Sequence, residues 1–184
     1  MILFLLTDKQ LGFELSKRYK LKQIKDNYYK NNNISLLICE TKQTGIVRTI
    51  INSIYSYNID LSKYIIINIG TCRSSLLKNN DLVIVNESYS DGINKKDNNK
   101  TKLDTIDTIF KVKCCSMGSD INIPNDNTHV VYDDELNIIT CFPYKKLFSL
   151  KFVSNNSKNN ILLLPSNKLK EFFITIDNII WEEK

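Results

Sequence analysis

The sequence predicts an α/β protein: a single domain in which one sheet carries helices on both faces. Three observations lead there. Short apolar runs alternate with segments whose apolar residues recur at helical spacing, the pattern of a sheet covered by crossover helices. One run, Tyr64-Ile-Ile-Ile-Asn-Ile, is apolar without alternation and breaks into Gly70-Thr71. Such a strand is buried on both faces and delivers flexible backbone to its carboxyl end, where open α/β sheets hold their ligands. At 184 residues, 42% of them hydrophobic, the chain fills one core and shows neither repeat nor linker.

Each element follows in order. Ile2–Leu6 reads as the first buried strand, because the run is too short to cross a bilayer, lacks a basic leader and cleavage site, and breaks at Thr7-Asp8. Residues 8–21 can form a helix with Leu11, Leu15 and Tyr19 on one side. Residues 34–39 make a strand, and 46–57 a helix that uses Val47, Ile50, Ile51 and Ile54. Further strands are expected at 64–69, 82–87, Phe110–Cys115 and 129–132. A helix should begin near Asp133 or Asp134, whose carboxylates suit a first turn. A strand at 147–153, an apolar stretch at 161–164 and a helix from Ser166, which can cap it, to Trp181 close the order. Residues 90–104 have almost nothing apolar to bury and are expected to form a surface excursion.

The formal charge of +5 does not by itself indicate nucleic acid. The chain has no alanine, only 5 Gly and 3 Pro, and abounds in Asn, Ile and Lys, the usage of an AT-rich coding sequence. Its lysines are dispersed: those at 17–25 are interrupted by Tyr and Leu, and those at 95–102 lie among Asn and Asp. Neither group interleaves with stacking aromatics, so solvated faces are expected, with no nucleic-acid and no membrane partner. Cys39, Cys72, Cys114, Cys115 and Cys141 contain no C-x-x-C pair, and the lone His129 cannot complete a zinc site. No metal or cofactor is expected, and the thiols suit small buried residues of a reducing cytoplasm. Cys72 lies in the expected ligand floor, so a nucleophilic role stands beside the packing one, although the pattern puts no histidine near to activate it.

The combination Ile67-Asn-Ile-Gly-Thr-Cys-Arg-Ser-Ser75, a short gap, then Asn80-Asp-Leu-Val-Ile-Val-Asn-Glu-Ser88 resembles the nucleoside phosphorylase and nucleosidase superfamily. The likeness is greatest to methylthioadenosine/S-adenosylhomocysteine nucleosidases and futalosine-hydrolase-like proteins. In that family a strand ending in Asn-x-Gly-(Ser/Thr)-Ala-Gly is followed by Gly-Asp-(Val/Ile)-Val. Other matches keep the family's order. Thr44-Gly-Ile-Val-Arg48 is similar to its Ser-Gly-Ile-Gly-Lys, Cys115-Ser-Met-Gly-Ser-Asp120 to its Ser-Gly-Asp turn, Tyr132-Asp-Asp-Glu135 to its Val-Asp-Met-Glu, and Phe152-Val-Ser-Asn155 to its Val-Ile-Ser-Asp. The resemblance implies a three-layer α/β/α domain with a central mixed sheet, in divergent and shortened form. It also implies a purine nucleoside as small-molecule ligand, and a homodimer or larger homo-oligomer, to which exposed apolar residues at 46–57 would contribute.

The resemblance further implies roles for single residues. Breaking a purine N-ribosidic bond develops positive charge on the ribose and negative charge on the base. Glu135 matches the glutamate that grips the ribose hydroxyls, in a Tyr-Asp-Asp-Glu run that includes Asp134; a carboxylate accepts two such hydrogen bonds. Read without the family, the same run is an acidic helix start. Asn155 stands where the nucleosidases place the aspartate that protonates the purine, and an amide donates a hydrogen bond without transferring a proton. Gln10 stands where they place the glutamate that orients water, with Asp8 a two-residue shift away. Thr71 and Cys72 are expected on the pocket floor, with the Met117-Gly118 turn near sugar or base. Asn68, in place of a phosphate-binding arginine, favours hydrolysis over phosphorolysis. Arg73 replaces a family glycine, and either fills ligand space, contacts an anion or faces solvent. The implied function is N-ribosyl hydrolysis. The alternative is a catalytically silent nucleoside-binding or regulatory protein, or a likeness of fold alone.

Overall fold

A ten-stranded mixed sheet forms the centre of the structure, a computed structural model that describes residues 1–90, 99–115, 130–154 and 164–183. Its strands are β1 (Ile2–Leu6), β2 (Lys22–Lys25), β3 (Tyr28–Lys30), β4 (Ile34–Ile38), β5 (Ile65–Cys72), β6 (Leu82–Ser90), β7 (Asn99–Lys102), β8 (Phe110–Cys115), β9 (Val130–Tyr132) and β10 (Lys146–Val153). They lie in the order β2-β3-β4-β1-β5-β10-β6-β8-β9, with β7 beside β6. The four strands β4, β1, β5 and β10 are mutually parallel, and the direction reverses between β10 and β6.

Strand alternation sends successive side chains to opposite faces and so divides the apolar residues into two cores. On one face Phe4, Leu6, Ile67, Ile69, Leu150 and Phe152 pack under α1 (Lys9–Arg18) and α4 (Ser166–Glu182), through Leu11, Leu15, Phe172 and Ile176. On the other Leu3, Leu5, Ile66, Val83, Leu147 and Val153 pack under α2 (Gln43–Tyr57) and α3 (Asp134–Ile139), through Ile46, Ile50, Leu136 and Ile139. The result is the expected three-layer α/β/α arrangement.

Several boundaries differ from the sequence reading, each for a local reason. α1 begins at Lys9 because Asp8 caps it: Asp8 Oδ1 accepts from the Gln10 and Leu11 amides at 2.9 and 3.1 Å. α2 starts at Gln43, ahead of its apolar stripe, and stops where Asn58 turns left-handed at φ 51°. Ser166 is the first residue of α4 rather than its cap; Pro165 holds the cap position, where its ring fixes φ at −52°. β2 and β3 escaped the reading: Lys22-Gln-Ile-Lys25 is an exposed edge strand with no apolar pattern, and β3, with Tyr28 and Tyr29 buried, is only three residues long.

Of the segment expected as an excursion at 90–104, residues 91–98 lie outside the described residues, and the rest belongs to the sheet and core. Asn99–Lys102 returns as β7 against β6, and Leu103 and Ile106 enter the core. Charge holds this strand down: the Lys100 ammonium lies 2.7 Å from Glu87 Oε1, the Tyr89 hydroxyl donates to Glu87 Oε2 at 2.7 Å, and Lys113 stands 3.9 Å away. Burial would raise the Glu87 carboxyl, but the Lys100 and Tyr89 hydrogen bonds and the two ammoniums outweigh it and lower its pKa. A lowered carboxyl contributes stability above the ordinary glutamate value, about 4.3, and loses it as pH falls through the folded value. Amide protection factors of β7 are therefore expected to drop on acidification below about pH 4, while those of β5 and β10 hold; parallel behaviour of all three strands would show that Glu87 does not anchor β7.

Candidate functional site

The chain leaves β1 through α1 toward β4 and returns through α2 to β5 on the other side of β1. The sheet's topological switch therefore lies between β1 and β5, at whose carboxyl ends a ligand cleft is expected. β10 lies parallel beside β5, so three carboxyl ends, at Thr7, Thr71 and Val153, come together.

Gly70 is the floor of this place. It pairs in register with Lys151 on β10, and both face the α2/α3 side. A Cβ on Gly70 would lie 3.1 Å from Lys151 Nζ and 3.7 Å from Glu135 Oε2, so the missing side chain leaves room for an ammonium and a carboxylate to approach one point from two sides. Lys151 is wholly buried, and its ammonium pairs with Asp133 Oδ2 at 2.5 Å. Burial works against the charge, but the carboxylates of Asp133 and Glu135 outweigh it and lift the Lys151 pKa above the ordinary lysine value. Lys151 is thus charged throughout the physiological range.

Asp133 joins this charge to α3. Its Oδ1 accepts from the Glu135 amide at 2.9 Å and caps the helix, while Oδ2 meets Lys151. The cap fixes the first turn of α3 and with it Glu135. From β1 the Thr7 hydroxyl donates to Glu135 at 3.2 Å to Oε1 and 3.5 Å to Oε2. Below them Asn68 is used up inside the sheet, donating to the Leu5 carbonyl at 3.3 Å and accepting from the Ser149 hydroxyl at 3.0 Å. A carboxylate steered by a hydroxyl and a helix cap, beside a buried ammonium, makes an acceptor for paired hydroxyl groups.

The residues singled out from sequence fall unevenly around this centre. Glu135 lies in it. Cys72 is buried beside it, and burial, with Asp133, pushes its thiol up to about 12 against the opposing pull of Lys151. That keeps it a thiol and removes the activation a nucleophile needs. Burial also raises the Cys39 and Cys114 thiols. Thr71 is exposed at the end of β5, on the alternate side from Gly70 and Cys72. Arg73 has an exposed side chain, and its backbone pairs with Tyr132. Asp8 is the α1 cap, and Gln10 is exposed in the first turn of α1. Asp134 opens α3, with its side chain outside the described part; Met117, Gly118, Asp120, His129 and Asn155 also lie outside the described residues.

Lys151, Asp133 and Thr7 are the members of the site that sequence reasoning missed as such. Lys151 carried a signal: a charged residue inside the apolar run Leu147-Phe-Ser-Leu-Lys-Phe-Val153 must be paired if that strand is central.

No protein-family model matches the chain, and no curated protein matches it in sequence. Solved structures do match in fold. CT263 (MTAN) from Chlamydia trachomatis aligns over 99% of this chain and 97% of its own, with 12% identity and a TM-score of 0.59. The futalosine hydrolase of Helicobacter pylori strain 26695 aligns over 85% and 88%, with 12% identity and a TM-score of 0.59. The 5′-methylthioadenosine/S-adenosyl homocysteine nucleosidase of Campylobacter jejuni aligns over 87% and 88%, with 11% identity and a TM-score of 0.57. These likenesses establish the fold that the chain shares with these structures, at a divergent level of sequence.

Proposed function

We propose that this chain, which carries the nucleosidase fold, binds a purine nucleoside at the carboxyl ends of β1, β5 and β10 and cleaves its N-ribosidic bond with water. The observation that carries the reading is Glu135, a carboxylate steered by Thr7 and the Asp133 cap over Gly70 at the switch point of the sheet. Such a group can accept both hydroxyls of a ribose diol. The ligands of the fold relatives agree with it: a CT263 variant of 13% identity was solved with MTA bound.

In the reaction the ribose gains positive charge as the base leaves, and an ionised Glu135 hydrogen-bonded to the diol stabilises that charge more than it stabilises the ground state. Water is favoured over phosphate as nucleophile. The Lys151 ammonium is paired with Asp133, and the Asn68 amide is held by Ser149 and the Leu5 carbonyl, so neither is offered to an anion. A covalent route through Cys72 is disfavoured by its neutral thiol.

A second reading, a catalytically silent nucleoside-binding protein, draws on α1. Asp8, the candidate water-activating carboxylate, has Oδ1 occupied by two backbone amides, and the neighbouring Gln10 is an amide with no basic character. Copies of the chain are proposed to associate through α2, where Tyr55 is 84% and Ile51 39% exposed.

Glu135→Gln tests the shared part of both readings. The variant is expected to weaken binding of adenosine, inosine or methylthioadenosine by about 1–3 kcal/mol, the scale of a lost charge-assisted hydrogen bond, with folding nearly unchanged. Calorimetry should also rank 2′-deoxyadenosine below adenosine, since one hydroxyl of the pair is gone. Equal affinity of variant and natural protein would remove Glu135 from the site, and base release on prolonged incubation separates enzyme from binder.

A further inference from the structure

We infer that Lys151 is a positioning residue for Glu135: sealed inside the sheet, it keeps the Glu135 carboxylate charged and turned over Gly70 without itself touching a ligand. The inference rests on the proposed nucleoside site and adds to it the source of the strength of the carboxylate clasp.

The geometry gives Lys151 this task rather than a purely structural one. Its side chain crosses the space that Gly70 leaves free, and it is fully buried, where water screens charge least. Asp133 and Glu135 stand two residues apart at the start of one short helix, and their carboxylates bracket the ammonium: Asp133 in direct contact, Glu135 across the Gly70 floor. With Lys151 removed, two negative charges would share a half-buried corner, and like charges so placed cannot both ionise without cost.

Among the described residues, the other titratable groups facing this corner are Cys39, just beyond β4, Cys72 on β5 and Cys114 on β8. All three thiols are raised by burial and neutral, so they supply no compensating charge. Thr7, just beyond β1, contributes a hydroxyl donor but no charge. Among the described residues, Lys151 is the only cation within ion-pair distance of Asp133.

The test compares Lys151→Met/Asp133→Asn with Asp133→Asn and with the natural protein. Asn still caps α3, and the pair of substitutions leaves no uncompensated charge in the core, so the fold is retained. The ¹³C resonance of the Glu135 carboxyl is followed against pH without ligand. If Lys151 positions Glu135, its midpoint in the double variant lies roughly one pH unit above that in Asp133→Asn alone, the effect of losing one nearby opposite charge with position 133 neutral in both, whereas Lys151→Arg/Asp133→Asn restores the Asp133→Asn midpoint. An unmoved midpoint, or one that Arg fails to restore, overturns the inference and leaves Lys151 a packing residue. Should Lys151→Met/Asp133→Asn not fold, Lys151→Gln/Asp133→Asn carries the same comparison. Nucleoside titrations run beside it: the double variant is expected to lose affinity relative to Asp133→Asn by up to roughly tenfold below the Glu135 midpoint of that reference, with the loss disappearing above the variant's own midpoint. Absence of nucleoside binding by the natural protein would overturn the proposed function, and the ligand-free carboxyl titration would still decide the role of Lys151.

Discussion

Lys151→Met alone is expected to destabilise the fold by about 3–5 kcal/mol, the scale measured when one partner of a buried ion pair is removed and the other is left uncompensated. Asp133 would be that orphan, and it cannot turn to water because its other oxygen caps α3. Adding Asp133→Asn should recover most of the loss, since a buried pair replaced by neutral groups is often close to neutral in stability. Urea unfolding of natural protein, single and double variants gives the comparison directly. The pH dependence has a fixed sign. The Lys151 pKa is raised on folding, because Asp133 and Glu135 outweigh the burial that opposes them. Its contribution is therefore complete below the ordinary lysine value, about 10.4, and is lost as pH rises through the folded value. The gap between natural protein and Lys151→Met should be constant from about pH 6 to 9 and narrow only in strong alkali. A single variant as stable as the natural protein would show that the pair contributes nothing.

The second large effect concerns Gln10 and Asn155, the two amides that the sequence resemblance would set in catalytic positions of the nucleosidases. The natural protein is expected to be slow or inactive on adenine nucleosides. Asn155→Asp with Gln10→Glu supplies a proton donor and a water-orienting base, each typically contributing about 10²–10⁴-fold when correctly placed. Because both act in one step, their effects should be strongly non-additive, with the double variant gaining measurable adenine release where the singles gain little. Brisk hydrolysis of methylthioadenosine by the natural protein would displace Gln10 and Asn155 from these roles. Asp8→Asn would then be the informative variant, because Asn keeps the α1 cap while removing the base.

What could be read in the sequence follows from how each part is held. β1, β4, β5 and β10 are buried on both faces and announce themselves as apolar runs, while α2 and α4 carry an apolar stripe against the sheet. Glu135 is singled out through the resemblance of Tyr132-Asp-Asp-Glu135, and the structure sets it beside Gly70 and Thr7. The rest is set by contacts distant in sequence. β2 and β7 are held by strand pairing and charge, with Lys22 exposed and Lys100 bound to Glu87, so no apolar period marks them. Asp133 reads as an acid at a helix start, and only the insertion of β10 beside β5 brings it to Lys151 and gives that lysine its partner. Asp8 shows the reverse case: a carboxylate placed by spacing near a catalytic role is also engaged by the most local of forces, a helix cap.

The place of β10 has a consequence for biosynthesis. Residues 146–153 are made late, yet they occupy the middle of the sheet, between β5 and β6. A nascent chain that has passed β9 already contains nine strands but leaves facing edges of β5 and β6 unpaired, each rich in Ile or Val. Those edges are templates for pairing with other chains until β10 arrives. A ribosome stalled before Lys146 would therefore release a sticky fragment, and the proposed cleft, walled on one side by this strand, would be among the last parts to assemble.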